Sequence, residues 1–179
     1  KYAAGGAGLV FVESTKVDPR GCSTPRDLGL WKDDFIAPFK RITDLVRRNG
    51  AVPALQLGHS GRKARISVPW EGRAPLDQCP GVDHGEEWEL IGPSPIAHSS
   101  RYAPPRAMTR EDIGEVAQAW RQAARRADQA GFDVVEIHGG HGYLIHQFLS
   151  PTANRRTDEY GGSRENRMRF AAEVAREVR

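Results

Sequence analysis

Cysteine is scarce in this sequence. Only Cys22 and Cys79 occur, far apart and in no CxxC pair, so they supply neither a disulfide framework nor a zinc ribbon. Two isolated cysteines fit a reducing compartment. No run comes near the roughly 20 apolar residues that span a bilayer. No basic-then-apolar leader opens the chain. The expected location is the cytoplasm, with no membrane partner. A dominant charge of one sign is also lacking. The 26 basic residues stand against 23 acidic ones. Acids interrupt the basic stretches, as in Arg110-Glu111-Asp112 and Arg156-Thr157-Asp158-Glu159. A nucleic-acid surface needs cations gathered on one face, so no nucleic acid is expected as a partner. HExxH is absent, and no GxGxxG follows a strand-like run. The first absence removes a common zinc-hydrolase signature. The second weakens a dinucleotide-binding, doubly wound sheet.

What is present is strand, loop and helix, three times over. Leu9-Val10-Phe11-Val12 follows Gly5-Gly6-Ala7-Gly8. Its unbroken apolar character predicts a strand buried on both faces. Asp33 or Asp34 is placed to cap a helix with Phe35, Phe39, Ile42 and Val46 on its face, and Gly50 ends it. Val52 to Leu57 reads as a second strand, with Pro53 near its start, where proline is tolerated. A long irregular segment, 58–108, follows. Thr109 and Asp112 form a capping-box pattern ahead of Ile113, Val116, Trp120, Ala124 and Ala127, and Gly131 marks the stop. Phe132 to Ile137 reads as a third strand. A loop runs through Gly161-Gly162. Ser163 then caps a last helix bearing Met168, Ala171, Ala172, Ala175 and Val178.

Strands alternating with helices predict an α/β fold with a parallel sheet. The polar residues suited to chemistry stand at strand ends: Glu13-Ser14, Gln56 and Glu136-Ile137-His138. Sites at the C-terminal ends of strands are the habit of the (β/α)8 TIM barrel. A closed barrel takes about 250 residues, and this chain has 179. It reads as a partial barrel, roughly the second strand to the fourth helix, with a long excursion after the second strand seen here. Segment 58–108 is too long for a bare connection and reads as a lid over the barrel mouth. No helix-ending Gly, Asn or Pro precedes Arg179, and a strand begins within ten residues of Lys1. Residues 1–179 are therefore expected to be an internal part of a single domain.

The densest polar constellation is His138-Gly139-Gly140-His141-Gly142-Tyr143, followed by His146. Glycines let the backbone approach a ligand closely. Two imidazoles three residues apart on a turn can converge on one carbonyl or nitro oxygen and stabilise charge developing there. A tyrosine beside them can supply a proton. Zinc ligation by His59, His138 and His141 is the competing reading; no metal is expected, because the spacing completes no recognisable triad. His146 reads as a packing or loop-anchoring residue. Gln56 is a polar amide in an otherwise apolar strand. Its paired donor and acceptor suit the edge of a planar heterocycle, or a bond to neighbouring backbone.

Taken in order, several stretches resemble the Old Yellow Enzyme family. They are Gln56-Leu57-Gly58-His59-Ser60-Gly61-Arg62-Lys63-Ala64, Glu136-Ile137-His138-Gly139-Gly140-His141-Gly142-Tyr143-Leu144 and Phe148-Leu149-Ser150-Pro151. The likeness continues through Asn154-Arg155-Arg156-Thr157-Asp158-Glu159-Tyr160-Gly161-Gly162-Ser163 and Glu165-Asn166-Arg167. Leu28-Gly29-Leu30-Trp31 and Ile91-Gly92-Pro93-Ser94 also look like family text. Arg62-Lys63-Ala64 and Pro69-Trp70-Glu71-Gly72 resemble the xenobiotic-reductase-like or thermophilic-like branch.

The resemblance implies an FMN-dependent NAD(P)H oxidoreductase that reduces electron-poor C=C bonds, enones and nitro compounds among them. It implies Gln56 and Ser14 as flavin contacts, His138 and His141 as substrate-binding residues, and Tyr143 as proton donor. It implies a small α,β-unsaturated substrate and a homo-oligomer at full length. The family's flavin-contacting first strand would precede Lys1, and its phosphate-gripping residues would follow Arg179. Neither Cys22 nor Cys79 occupies the place of the branch's flavin-tuning cysteine. Two alternatives stay open. One is another flavin-dependent barrel reductase or lyase, acting on a thioester or an amine. The other is an inactive half-barrel that only associates with other chains.

Overall fold

The computed structural model describes residues 1–79 and 88–179. Along the chain lie β1 (Leu9–Lys16), α1 (Ile36–Arg48), β2 (Val52–Gly58), β3 (Ile91–Gly92), β4 (Arg106–Ala107), α2 (Arg110–Gln129), β5 (Val134–Ile137), α3 (Leu144–Leu149) and α4 (Arg164–Val178). Strands β1, β2 and β5 lie side by side in that order, and both pairings are parallel. These are the three strands expected from the apolar runs. No helix among the described residues is long and apolar enough to cross a membrane.

Helices cover one face of this sheet. Leu55 and Leu57 of β2 pack into a core with Ile113, Val116, Trp120 and Ala127 of α2. Phe148 of α3 and Phe170 of α4 complete it, their ring centroids 4.5 Å apart. The reading of β1 as buried on both faces is corrected here. Leu9, Phe11, Val52 and Val134 remain more than a third exposed. They share the face opposite the helices, which in a barrel is filled by side chains from strands across the interior.

α2 forms as its sequence dictates. Thr109 Oγ1 accepts from the Asp112 amide, and the Asp112 carboxylate accepts from the Thr109 amide. Each group satisfies one of the amides that every helix start leaves unpaired. Three other expectations are corrected. Asp33 and Asp34 do not cap α1; they sit in a preceding 3-10 turn, and Asp33 instead pairs with Arg126. On α1 Thr43 takes the buried place expected for Ile42, because Thr43 Oγ1 donates to the Ala130 carbonyl. On α4 the buried residues are Phe170 and Val174, while Met168 is 48% exposed.

Segment 58–108 is not a bare loop. Its described residues include three 3-10 turns and the short parallel pair β3–β4. The loop expected between β5 and Gly162 contains α3, which is too short to leave a clear periodic signature. The stretch from 154 to 167 is a lock for these connections. Asn154 Nδ2 donates to the carbonyls of Phe148 and Tyr160, Arg156 donates to those of Pro93 and Met108, and Arg167 donates to that of Leu149.

Candidate active site

The polar strand ends meet at the C-terminal edge of the sheet. From Val12 to Thr15, three residue steps of β1 oppose two steps of β2, from Leu55 to Leu57. The extra residue is a bulge, a device that re-aims side chains at strand ends. Gly58 lies beside it. A Cβ there would stand 2.8 Å from Ser14 Oγ and 3.7 Å from His138 Cβ. Glycine therefore lets the ends of β1 and β5 close in on β2.

Beyond β5 the chain turns through His141 (φ 52°) and Gly142 (φ 69°) into α3. The turn is tied down by its own residues and by the loop after β2. The Gly142 amide donates to His146 Nδ1 at 2.8 Å, which makes exposed His146 a loop anchor and not a packing residue. The Leu144 amide donates to the His59 carbonyl. Gln147, 1% exposed, donates to the carbonyls of Ser60 and Gly142 and accepts from the Arg62 amide. One buried amide thus joins the two glycine-rich loops.

This scaffold brings three predicted residues together. The His138 ring centroid lies 4.9 Å from that of Tyr143 and 5.0 Å from that of His141. His138 Nε2 is 3.2 Å from His141 Nδ1. The Gly140 amide donates to His138 Nδ1, which leaves the proton of a neutral His138 on Nε2. That proton can go to His141 Nδ1 or to a ligand oxygen, and His141 then carries its own on Nε2. Burial lowers the His138 pKa below its ordinary 6.5, with smaller contributions from His141 and Lys16. At neutral pH the ring is an uncharged donor.

Gln56 lies one strand away, on the open face. Its Nε2 donates to Glu136 Oε1 at 2.9 Å. The amide keeps its carbonyl oxygen and a second N–H for another partner. The bond to backbone considered for Gln56 gives way to this side-chain pair. Ser14 Oγ is 3.1 Å from Lys16 Nζ.

Sequence reasoning missed Lys16, the role of Lys63, and Gln147. Lys16 is only 2% exposed. A buried ammonium needs partners, and Asp27 stands 3.6 Å away, with Ser14 as the second. Its Nζ lies 5.4 Å from the Tyr143 ring centroid. Lys63 Nζ approaches the same ring at 6.0 Å and donates to the His141 carbonyl at 2.7 Å. Tyr143 is thus flanked by two ammonium groups. The one signal in the sequence was a lysine at the end of an apolar strand.

His59 does not join the histidine pair. Its Nδ1 accepts from the Gly61 amide, and its ring is fully buried. Among the described residues no group of three His, Cys, Asp or Glu side chains is arranged to hold a metal ion. His59, His138 and His141 are not gathered into one ligand set among the described residues. Cys22 is a buried thiol whose pKa burial pushes up to about 12, so it stays protonated and unreactive.

The sequence profile of the NADH:flavin oxidoreductase / NADH oxidase family matches residues 1–179. The chain is 44% identical over 177 residues to an NADPH dehydrogenase of Bacillus subtilis, covering 99% of this chain and 46% of that protein. It is 46% identical over 172 residues to an NADH:flavin oxidoreductase of Gibberella zeae, covering 94% of this chain and 41% of that one. Among solved structures, morphinone reductase superposes with a TM-score of 0.83 at 33% identity, over 98% of this chain and 47% of that chain. The chain spans about half the length of these relatives. Its parallel sheet is part of a (β/α)8 barrel, in line with the sequence reading. A match to the family profile from the first residue to the last places this chain in the NADH:flavin oxidoreductase / NADH oxidase family.

Proposed function

We propose that residues 1–179 contribute to one FMN-binding barrel domain of an NAD(P)H-dependent ene-reductase acting on small, electron-poor alkenes. The observation that carries this reading is the convergence of His138, His141 and Tyr143 at the end of β5. The relatives' names support the flavin and nicotinamide parts of it.

The strand ends suit a planar heterocycle. Ser14, Gly58, Gly139 and Gly140 place small residues there, and a Cβ on Gly139 would touch nothing nearer than 3.6 Å. Gln56 offers an acceptor and a donor at the edge of this shelf. Gln56 and Ser14 would hold the flavin ring. Bound FMN supplies hydride-transfer chemistry, with NAD(P)H as the electron source.

The chain's own residues do the rest. His138 Nε2–H and His141 Nε2–H hydrogen-bond the carbonyl or nitro oxygen of the alkene. Charge developing on that oxygen is met by donors already in place. Tyr143, beside both rings, donates its hydroxyl proton to the carbon α to the activating group. A neutral His138 suits this division of labour, since proton transfer to carbon is left to the phenol.

The test is to purify the complete protein, record its visible spectrum, and assay NADPH- and NADH-dependent loss of 2-cyclohexen-1-one with product identification. A yellow protein forming cyclohexanone is expected. A colourless protein, or a yellow one that oxidises NAD(P)H without consuming any enone, would overturn the reading.

A further inference from the structure

A cleft of about 390 Å³ opens beside the histidine pair, with His141 and Tyr143 in one wall. The rest of its lining comes mainly from the excursion after β2. Lys63 and Arg73 contribute cationic side chains, His98 and Tyr102 add polar rings, and among the described residues no carboxylate lines it. Two cations with no acid beside them among the described lining residues give the cleft a positive field. The field is felt within it. Burial lowers the pKa of His98 first, and Lys63 and Arg62 lower it further.

Arg73 is held in an unusual way. Its backbone lies at φ 55°, a left-handed conformation that side-chain-bearing residues rarely adopt. Its carbonyl accepts from the Tyr102 hydroxyl at 3.2 Å, and the Tyr102 ring lies 5.5 Å from that of His98. Strained backbone at a cleft persists where surrounding contacts enforce it. Lys63 is nearer the chemistry, bonded to the His141 carbonyl.

We propose that this cleft is an anion subsite, and that the preferred substrates are alkenes with a carboxylate remote from the reacting double bond. The inference rests on the ene-reductase reading for its orientation. The activating oxygen sits at His138 and His141, and the acidic tail extends toward Arg73. A guanidinium suits that role because its planar fork matches a carboxylate with two parallel bonds. The phosphates of the nicotinamide coenzyme share this chemistry, and the experiment separates the two sources.

The complete, flavin-loaded protein is assayed with 2-cyclohexen-1-one and with the same ring bearing a carboxymethyl group at carbon 4. The acid is expected to show a kcat/KM about tenfold higher, the worth of one charge-assisted contact. Arg73→Gln is expected to bring that ratio close to one, and Arg73→Lys to restore part of it. In parallel, calorimetry compares the unreactive cyclohexanone with its carboxymethyl counterpart. Tighter binding of the acid, lost in Arg73→Gln, is expected. Equal affinities and equal kcat/KM would overturn the proposal. So would an Arg73→Gln variant that raises KM for NADPH alone, since the anion would then belong to the coenzyme. If neither alkene is reduced, the ene-reductase reading fails, and calorimetry still decides whether the cleft selects an acid.

Discussion

Gln147 occupies the space that any side chain on residue 61 would need. A Cβ built on Gly61 would fall 2.3 Å from Gln147 Oε1, and Gly61 itself sits at φ 56°. Gly61→Ala must therefore both adopt a left-handed backbone and displace the buried amide. The backbone alone costs about 1–2 kcal/mol. Chemical denaturation should show at least that loss, and KM for the alkene should rise as the loop carrying His141 and Tyr143 is released. A variant as stable as the parent would contradict the packing described.

Removing the amide tests the same link from the other side. Gln147→Leu leaves the Ser60 and Gly142 carbonyls without their donor. Buried acceptors left unpaired make the expected loss about 2–4 kcal/mol. A change within 0.5 kcal/mol, roughly the scatter of a neutral surface substitution, would argue against a buried joint between the two loops.

His59 makes stability depend on pH. Burial holds its pKa at about 4, against an ordinary 6.5, although Asp18 pulls it partly back up. The unfolded chain takes up this proton first as pH falls. The contribution is therefore present in full above pH 6.5 and is lost as pH falls through 4, reaching about 3 kcal/mol. His59→Asn keeps an acceptor for the Gly61 amide but does not titrate. The difference in unfolding free energy between parent and variant should slope between pH 6.5 and 4 and be flat from 7 to 8. No slope in the lower window would contradict a neutral, buried His59.

His138 acts as a neutral donor in this account. His138→Leu should lower kcat/KM for alkene reduction by about 10²–10³, the usual loss of one donor to a developing oxyanion. His138→Gln keeps an N–H and should recover part of it. Because burial lowers this pKa, the step should not fall as pH rises from 6.5 to 8. A decline over that range that disappears in His138→Gln would show that the charged ring is the active form.

Much of this arrangement is legible in the amino-acid sequence alone. The three strands announced themselves because apolar runs of that length between glycines have few other uses. α2 was readable from Thr109 and Asp112, since a capping box is a purely local device. The histidine–tyrosine cluster was readable because its spacing places all three on one turn. What was not legible depends on distant partners. Lys16 is buried only because a bulge turns the end of β1 and the backbone at Leu28 and Leu30 returns to bond it. On α4 two apolar stripes compete in the sequence. Phe170 decides between them, because its ring buries far more area than the alanines of the other stripe. Gln147 reads as an ordinary helix-surface residue, and nothing nearby in the chain tells of its three bonds. Arg73 gave no signal, because its left-handed backbone is imposed by the fold around it.

The proton-donor role proposed for Tyr143 is tested by stopped-flow measurement of both half-reactions in Tyr143→Phe. The phenol lies 4.9 Å, ring centre to ring centre, from His138. Losing its hydroxyl removes a proton donor, which commonly costs 10²–10⁴ in rate. Bleaching of the flavin by NAD(P)H needs no proton from this residue. Bleaching is expected within about twofold of the parent, and recovery of colour by 2-cyclohexen-1-one is expected to slow by about 10² or more. Equal slowing of the two phases, or unslowed recovery of colour, would contradict that role.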